Sequence, residues 1–451
     1  MTSPTINFLQ QVRTYNSDAN LPGFLNQNCF ISDICNHEYM DFDKKIPANL
    51  GDTIGIALPM ASVANAGLVV SAQPIRQNIA HLSVIEAANV AVAVTNQQRI
   101  FNMDHDGFWK MTGKSMISEL GSKVEQSIAR HVNSSAMDMR QDSPTYNQKQ
   151  YLSGPTRFVD CTQTGLLSYQ ALDQSLVDFI SMGAPNDDHC VVLPTNYYSP
   201  IIGSGLTQFV PIRNDEIAQS WLVGEFGSPR TKYYRSNYLP VQIAGAFGQA
   251  GTVCTVVSTN DPTGTNVTQL TLSSAGGSHT VAVAAGDMGW FLPASNINAL
   301  TFYGHMQTNQ PVQFRVIADA ASNAGAVTVN IITNTHTEGQ GLCSAVGNAL
   351  QNISGVIQAG MTVQFVGSHR CGLRVCGKAF YVAVPRLDDE RPYDTSVDTD
   401  DETKVSLRMY YGAVFGQNQK WLVNDVIWGG LLLSRYSQRF CLPLAGNVAS
   451  A

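Results

Sequence analysis

The sequence predicts an α+β chain that carries an inserted all-β module. Three patterns predict it: a helical hydrophobic repeat over Asp106 to Met139, short alternating strands on both sides of that repeat, and a Thr/Val/Gly/Ser/Asn-rich stretch from Phe247 to Gly341.

Along residues 1–45, polar runs, Pro22, Gly23 and isolated aromatics suit an arm lying on a neighbour better than a compact unit. A strand signal follows within Ile46 to Met60, where Thr53, Ile54, Ile56 and Leu58 run from Gly51 to Pro59. Another spans Asn89 to Thr95, with Val90, Val92 and Val94 on one face. Between them, Ala61 to Ala88 is too long for a tight turn, which predicts a projecting two-stranded loop with little core of its own.

In the long repeat, Phe108, Met111, Ile117, Leu120, Val124, Ile128 and Val132 recur at helical spacing, although Gly113 and Gly121 weaken it. A second helix is expected at Gly165 to Met182, ended by Gly183 and Pro185, and a third at Asn214 to Phe226. Cys190 to Leu193 reads as a buried strand, followed by a helical turn from Pro194. The β module is marked by Val253 to Val257, Gln269 to Leu272, Val281 to Val283, Phe314 to Ile317 and Val327 to Ile331. Closing strands are expected at Gly360 to Val366, Lys378 to Val384 and Lys404 to Val414. Between the last two lies a solvated acidic loop holding Asp388, Asp389, Glu390, Asp398, Asp400, Asp401 and Glu402.

Composition narrows the function. Of 451 residues, 44% are hydrophobic, enough for one large core or several ordinary ones. Only 14% are charged, against roughly 25% in an ordinary soluble protein. Burying charge at interfaces is costly, so a surface mostly covered by copies of itself is one source of this composition. An unusually neutral β-rich surface is the other. With 27 basic and 34 acidic residues, the chain has no excess of phosphate-neutralising side chains. The 9 cysteines include no CxxC pair and suit reduced thiols better than a disulfide framework. Met1 to Asn20 is polar and broken by Pro4, unlike a secretory signal, and no apolar run reaches the roughly 18 residues that span a bilayer.

Chemistry-bearing motifs are weak. Gly107 with Thr112-Gly113-Lys114-Ser115 has the wrong spacing for a phosphate loop and includes the helix-packing residues Phe108 and Met111. Neither Cys29/Cys35/His37 nor His369/Cys371/Cys376 has zinc-finger spacing. The acidic loop lacks the order of a calcium loop, and Gly203-Ser204-Gly205 is not a nucleophile elbow. No catalytic residue, metal ligand or cofactor is expected, and a hydrolase is the enzymatic alternative.

The order of elements resembles the major capsid (Johnson) fold of tailed double-stranded DNA bacteriophages, especially coat proteins of short-tailed phages with an inserted domain. The likeness is carried by Gly51-Asp52-Thr53-Ile54-Gly55-Ile56-Ala57-Leu58-Pro59, Asn89-Val90-Ala91-Val92, Ser118 to His131, Tyr234-Arg235-Ser236-Asn237-Tyr238-Leu239-Pro240 and Leu407-Arg408-Met409-Tyr410-Tyr411-Gly412. It implies an N-terminal arm at 1–45, a peripheral domain at 46–60 and 89–159 with a spine helix at 106–139, and an extended loop at 61–88. The axial domain would be 160–245 with 342–451, and the inserted domain 246–341.

By the same resemblance the chain assembles into hexamers and pentamers of an icosahedral shell, in the host cytoplasm and then the virion. Its partners would be scaffolding protein and portal protein, with room for a decoration protein. It would touch packaged DNA only weakly and no membrane. Loop residues Gln73, Arg76 and Glu86 are the expected inter-subunit contacts, setting register more than affinity. Unaltered assembly after charge reversal at Arg76 and Glu86 would count against that role. Lys44, Lys45 and Lys114 are too generic to nominate as cross-linkers. A cellular nanocompartment shell or a β-rich adhesion protein are the alternatives; the inserted module disfavours the first, and the missing signal with free thiols disfavours the second.

Overall fold

The computed structural model describes residues 20–27, 29–37, 50–58, 62, 64, 79–95, 105–133, 136–137, 144, 149–150, 154–162, 168–185, 188–198, 222–226, 231–274, 277–333, 340–377, 379–387, 394–400, 404–413 and 419–444. It is a mixed α+β molecule, mostly strands with a few helices.

Helix α1 (Leu21–Gln27) leads into a wide helical turn at Phe30–Ile34. The aromatics read as features of an arm are core residues: Leu21, Phe24, Phe30, Ile31 and Ile34 are buried with Ile117, Leu120 and Val124. The described part of the expected arm therefore packs within its own chain; residues 1–19, 28 and 38–45 lie outside the described residues. Strands β1 (Thr53–Ala57) and β2 (Ile79–Ser83) form an antiparallel hairpin, and β3 (Glu86–Thr95) follows.

Helix α2 runs His105–Ala129 and tightens into a 3-10 turn at Arg130–Asn133, short of the expected Met139. The hydrophobic period continues through Val132, but the Val132 carbonyl is taken by Arg439 Nε at 2.9 Å and not by a further helical turn. Ala136–Met137 instead pairs with Lys149–Gln150. Strand β4 is Phe158–Asp160. Helix α3 (Tyr169–Ser181) starts at Ser168, whose hydroxyl accepts the Ala171 N–H at 3.2 Å. It ends at Gly183, whose φ of +94° only glycine adopts readily. Next come β5 (His189–Leu193), a 3-10 turn at Thr195–Tyr197, β6 (Leu222–Phe226), β7 (Thr231–Arg235) and β8 (Val241–Gln242). The helix expected over Asn214 to Phe226 is thus corrected at its end: Leu222–Phe226 is extended and pairs antiparallel with β7. Residues 214–221 lie outside the described residues.

The β module holds β9 (Val253–Thr259), β10 (Gln269–Ser273), β11 (His279–Val283), β12 (Met288–Phe291), β13 (Gln313–Val316), β14 (Ala320–Asn323), β15 (Ala326–Ile332) and β16 (Thr362–Phe365). Six of them close a ring in the order β10-β9-β16-β12-β13-β15 and back to β10, with every neighbouring pair antiparallel. This is a small barrel. Alternation fills it, with Cys254, Val256, Leu270, Leu272, Val327, Val329 and Ile331 pointing inward. Phe314 meets Phe291 and Phe365 edge-on at 5.8 and 6.0 Å. Strand β16, expected among the closing strands, pairs with β9 and β12, so the barrel draws on residues beyond 341.

Gly289 in β12 admits the Phe314 ring, since a Cβ there would lie 2.6 Å from it. Gly289→Ala should cost about 1–3 kcal/mol through overpacking. Thermal unfolding checks this, and an unchanged midpoint would contradict it.

The chain closes with β17 (His369–Cys376), β18 (Phe380–Ala383), β19 (Asp394–Thr399), β20 (Ser406–Ala413), β21 (Gln419–Leu432) and β22 (Ser437–Leu442). One sheet runs β4-β22-β17-β5-β7-β6, with β8 also on β17; the other runs β18-β21-β20-β19, with β3 along β21. The expected acidic loop is partly strand: Asp394–Thr399 pairs with β20, and Thr395 and Ser396 are buried. Asp388, Asp389, Glu390, Asp401 and Glu402 lie outside the described residues. Among the described residues, no helix is long and apolar enough to cross a membrane.

Candidate functional site: hairpin and module joint

The hairpin is anchored at its base. Ile54, Ile56, Ala80 and Leu82 face inward and pack with Val84, Ala383, Ile427 and Leu431. The opposite face carries Thr53, Gly55, Ala57, His81 and a 45% exposed Ile79. Gly51 N–H to Val84 O (2.7 Å) and Val84 N–H to Asp52 O (2.9 Å) extend the pairing below the strands.

Two consecutive glycines of β21 make room for this crossing. A Cβ on Gly429 would sit 2.3 Å from the Ser83 carbonyl, and one on Gly430 would sit 2.6 Å from His131 Nε2. Successive strand residues face opposite sides. Gly429 therefore admits the hairpin backbone on one face, and Gly430 admits the imidazole at the end of α2 on the other.

Glu86 is not on the projection. It opens β3, is 3% exposed, and accepts the Ser127 hydroxyl, which in turn accepts Trp428 Nε1–H at 3.3 Å. That network ties β3, α2 and β21 inside one subunit, which corrects the expectation of a loop rim charge. Gln73 and Arg76 lie outside the described residues.

A joint couples barrel and body. The Asp287 carboxylate accepts the N–H groups of Gly245 (3.0 Å) and Ala284 (2.8 Å) and the Gln242 amide (2.9 Å). Burial raises its pKa to about 6 despite these bonds and the nearby Arg439 charge. Fully buried Arg439 donates to Val132 O at the end of α2 and to Gly286 O in the barrel (2.8 Å). Gln313 and Phe158 exchange two bonds of 3.0 Å, so a side-chain amide continues the sheet backbone. The Arg157 and Arg435 guanidinium groups lie 4.7 and 4.6 Å from the Phe302 ring. Asp287, Gln242 and Arg439 are far apart in sequence, and only the fold brings them together.

The outer wall of the barrel is polar and uncharged along β10 and β15. Thr271 and Thr328 hydroxyls meet at 3.4 Å, and Gln269 donates to Asn330 at 3.0 Å. On neighbouring β9, Val257 is 51% exposed.

The motif residues find structural places. Gly107 to Ser115 lies within α2. His37 reaches the carbonyls of Ile31 (2.7 Å) and Val382 (3.2 Å). Buried His369 meets Gly367 O at 2.7 Å, and burial first, then Arg439, lowers its pKa to about 3. Cys376 Sγ donates to Pro185 O at 2.9 Å. Burial pushes the Cys29, Cys35 and Cys371 thiols up. Among the described residues no group of three or more His, Cys, Asp and Glu side chains could hold a metal ion.

No protein-family model matches the chain, and no curated protein matches it. Among solved structures it is similar to the capsid of Ralstonia phage GP4 (8% identity, 89% of this chain and 86% of that chain, TM-score 0.42). It is also similar to the capsid of cyanophage P-SCSP1u (10%, 89% and 85%, TM-score 0.37) and to a chain of Mycobacterium phage Che8 (8%, 93% and 92%, TM-score 0.38). At such values these likenesses carry no weight for function, which the residues themselves must supply.

Proposed function

We propose that this chain is the major capsid protein of a tailed double-stranded DNA bacteriophage and builds an icosahedral shell by self-association. The observation that carries this is the hairpin: its base is clamped into the body through Gly429, while residues 58–78 separate its two strands. A segment of that length on an anchored base supplies contact area to a neighbouring copy. Gln73 and Arg76 on it would set register between subunits. The low charge content and the uncharged barrel wall fit a surface that meets copies of itself and solvent.

In this reading, α2 is the spine of a peripheral domain, the sheet of β4 to β8 with β17 and β22 belongs to an axial domain, and the barrel is displayed outside. Hexamers and pentamers would form with scaffolding and portal proteins in the host cytoplasm, with room for a decoration protein and only weak contact with packaged DNA. A nanocompartment shell is the second reading; the barrel favours the virus.

Negative-stain microscopy and sedimentation of the protein, expressed with and without its neighbouring genes, test the proposal. Regular hollow particles are expected. A soluble monomer under both conditions would overturn it.

A further inference from the structure

We infer that Cys371 and Cys441 are a latent cross-strand disulfide, a covalent staple between β17 and the C-terminal strand β22. The pairing register sets the two residues directly opposite each other in an antiparallel ladder. Such opposed residues either exchange both backbone hydrogen bonds or neither, and the second kind brings Cα atoms to about 4.5 Å with side chains close on one face. The backbone decides which kind this is. Cys371 N–H points away from β22, to Pro240 O at 3.0 Å, and Cys441 C=O points away from β17, to Cys161 N–H at 3.0 Å. The pair is therefore of the non-hydrogen-bonded kind, whose usual Cα separation of about 4.5 Å falls inside the about 4.4–6.8 Å range of disulfide Cα atoms. No other pair of cysteines is directly opposed in a described strand register: Cys190 faces Val375, and Cys376 faces His189.

Both thiols are fully buried and neither is in a disulfide. A small disulfide such as oxidised glutathione supplies the oxidising equivalents. One cysteine thiolate attacks it, forming a mixed disulfide and releasing one glutathione. The other thiolate then displaces the second glutathione as the protein S–S bond forms. Two cysteine protons end on the two released thiols, so two electrons pass from protein to glutathione. For the shell proposed above, the staple would lock β22 once subunits leave a reducing compartment; that consequence rests on the capsid reading, whereas the bond does not.

The test uses the full chain, held with oxidised glutathione in urea below its unfolding midpoint so that β22 opens transiently. Alkylation under denaturing conditions and trypsin digestion follow. The expected product joins the peptide Cys371–Arg374 to the peptide beginning at Phe440 and is split by dithiothreitol, while the remaining seven of the nine cysteines are alkylated. Cys161→Ser should retain the cross-link, and Cys371→Ser should lose it. Separate alkylation of Cys371 and Cys441 in the wild-type chain, or linkage of either to another cysteine, would overturn the inference whatever the assembly state.

Discussion

Between pH 5 and pH 8 the subunit body is expected to lose about 4 kcal/mol of stability through one residue, Glu125. This glutamate of α2 is 1% exposed, accepts the Phe30 N–H at 3.2 Å, and so holds the wide turn at Phe30–Ile34 against the helix. Burial is the main cause that raises its pKa to about 8, with Asp33 adding to it and the bonds from Phe30, Ser236 and Cys29 opposing it. The sign follows from which state holds the proton. Below its unfolded value of 4.5 both states are protonated. From there to about 8 the unfolded chain ionises while the folded one keeps its proton, so stability falls at about 1.4 kcal/mol per pH unit. Above about 8 the slope vanishes. Denaturant unfolding of the wild type and Glu125→Gln, compared at both pH values, checks this. The variant should flatten the difference, and equal slopes would contradict the assignment.

Arg439→Leu is expected to cost about 3–5 kcal/mol, because it strips a buried carboxylate of its nearby cation and leaves two buried carbonyls unbonded. Those groups are Asp287, Val132 O and Gly286 O, and they belong to barrel and body alike. The barrel has its own core, with Phe291, Phe314 and Phe365 at its centre, so the weakened joint should also separate two calorimetric transitions. Arg439→Lys should recover only part of the loss, since one ammonium cannot reproduce the guanidinium fork. A single transition at the wild-type temperature in Arg439→Leu would show that the joint does not couple the units.

What could be read from sequence was local. Val90 and Val92 alternate, and β3 lies there; Gly183 ends α3 through capping chemistry visible in the chain, whereas the Ser168 cap at its start was not read. What could not be read depends on distant partners. Phe24 and Phe30 lie in a stretch broken by Pro22, Gly23 and several Asn residues, yet both are fully buried beneath a helix about a hundred positions away in the chain. Thr362–Phe365 looks like a closing strand until its pairing with β9 and β12 is known. The 14 residues of β21 were missed because Asn424, Asp425 and the glycine pair interrupt the run from Trp421 to Leu432. Glu86 was misplaced because its partner, Ser127, lies on α2, 41 positions along the chain. The joint residues gave no sequence signal at all.

In the proposed shell the anchored hairpin serves a neighbouring copy. Cryo-electron microscopy of particles from the natural source would trace residues 58–78 from the strands that flank them. A closed lattice is expected, in which this segment lies over the adjacent subunit with Gln73 and Arg76 at the contact. A segment folded back on its own subunit, in a protein that forms no lattice, would contradict it.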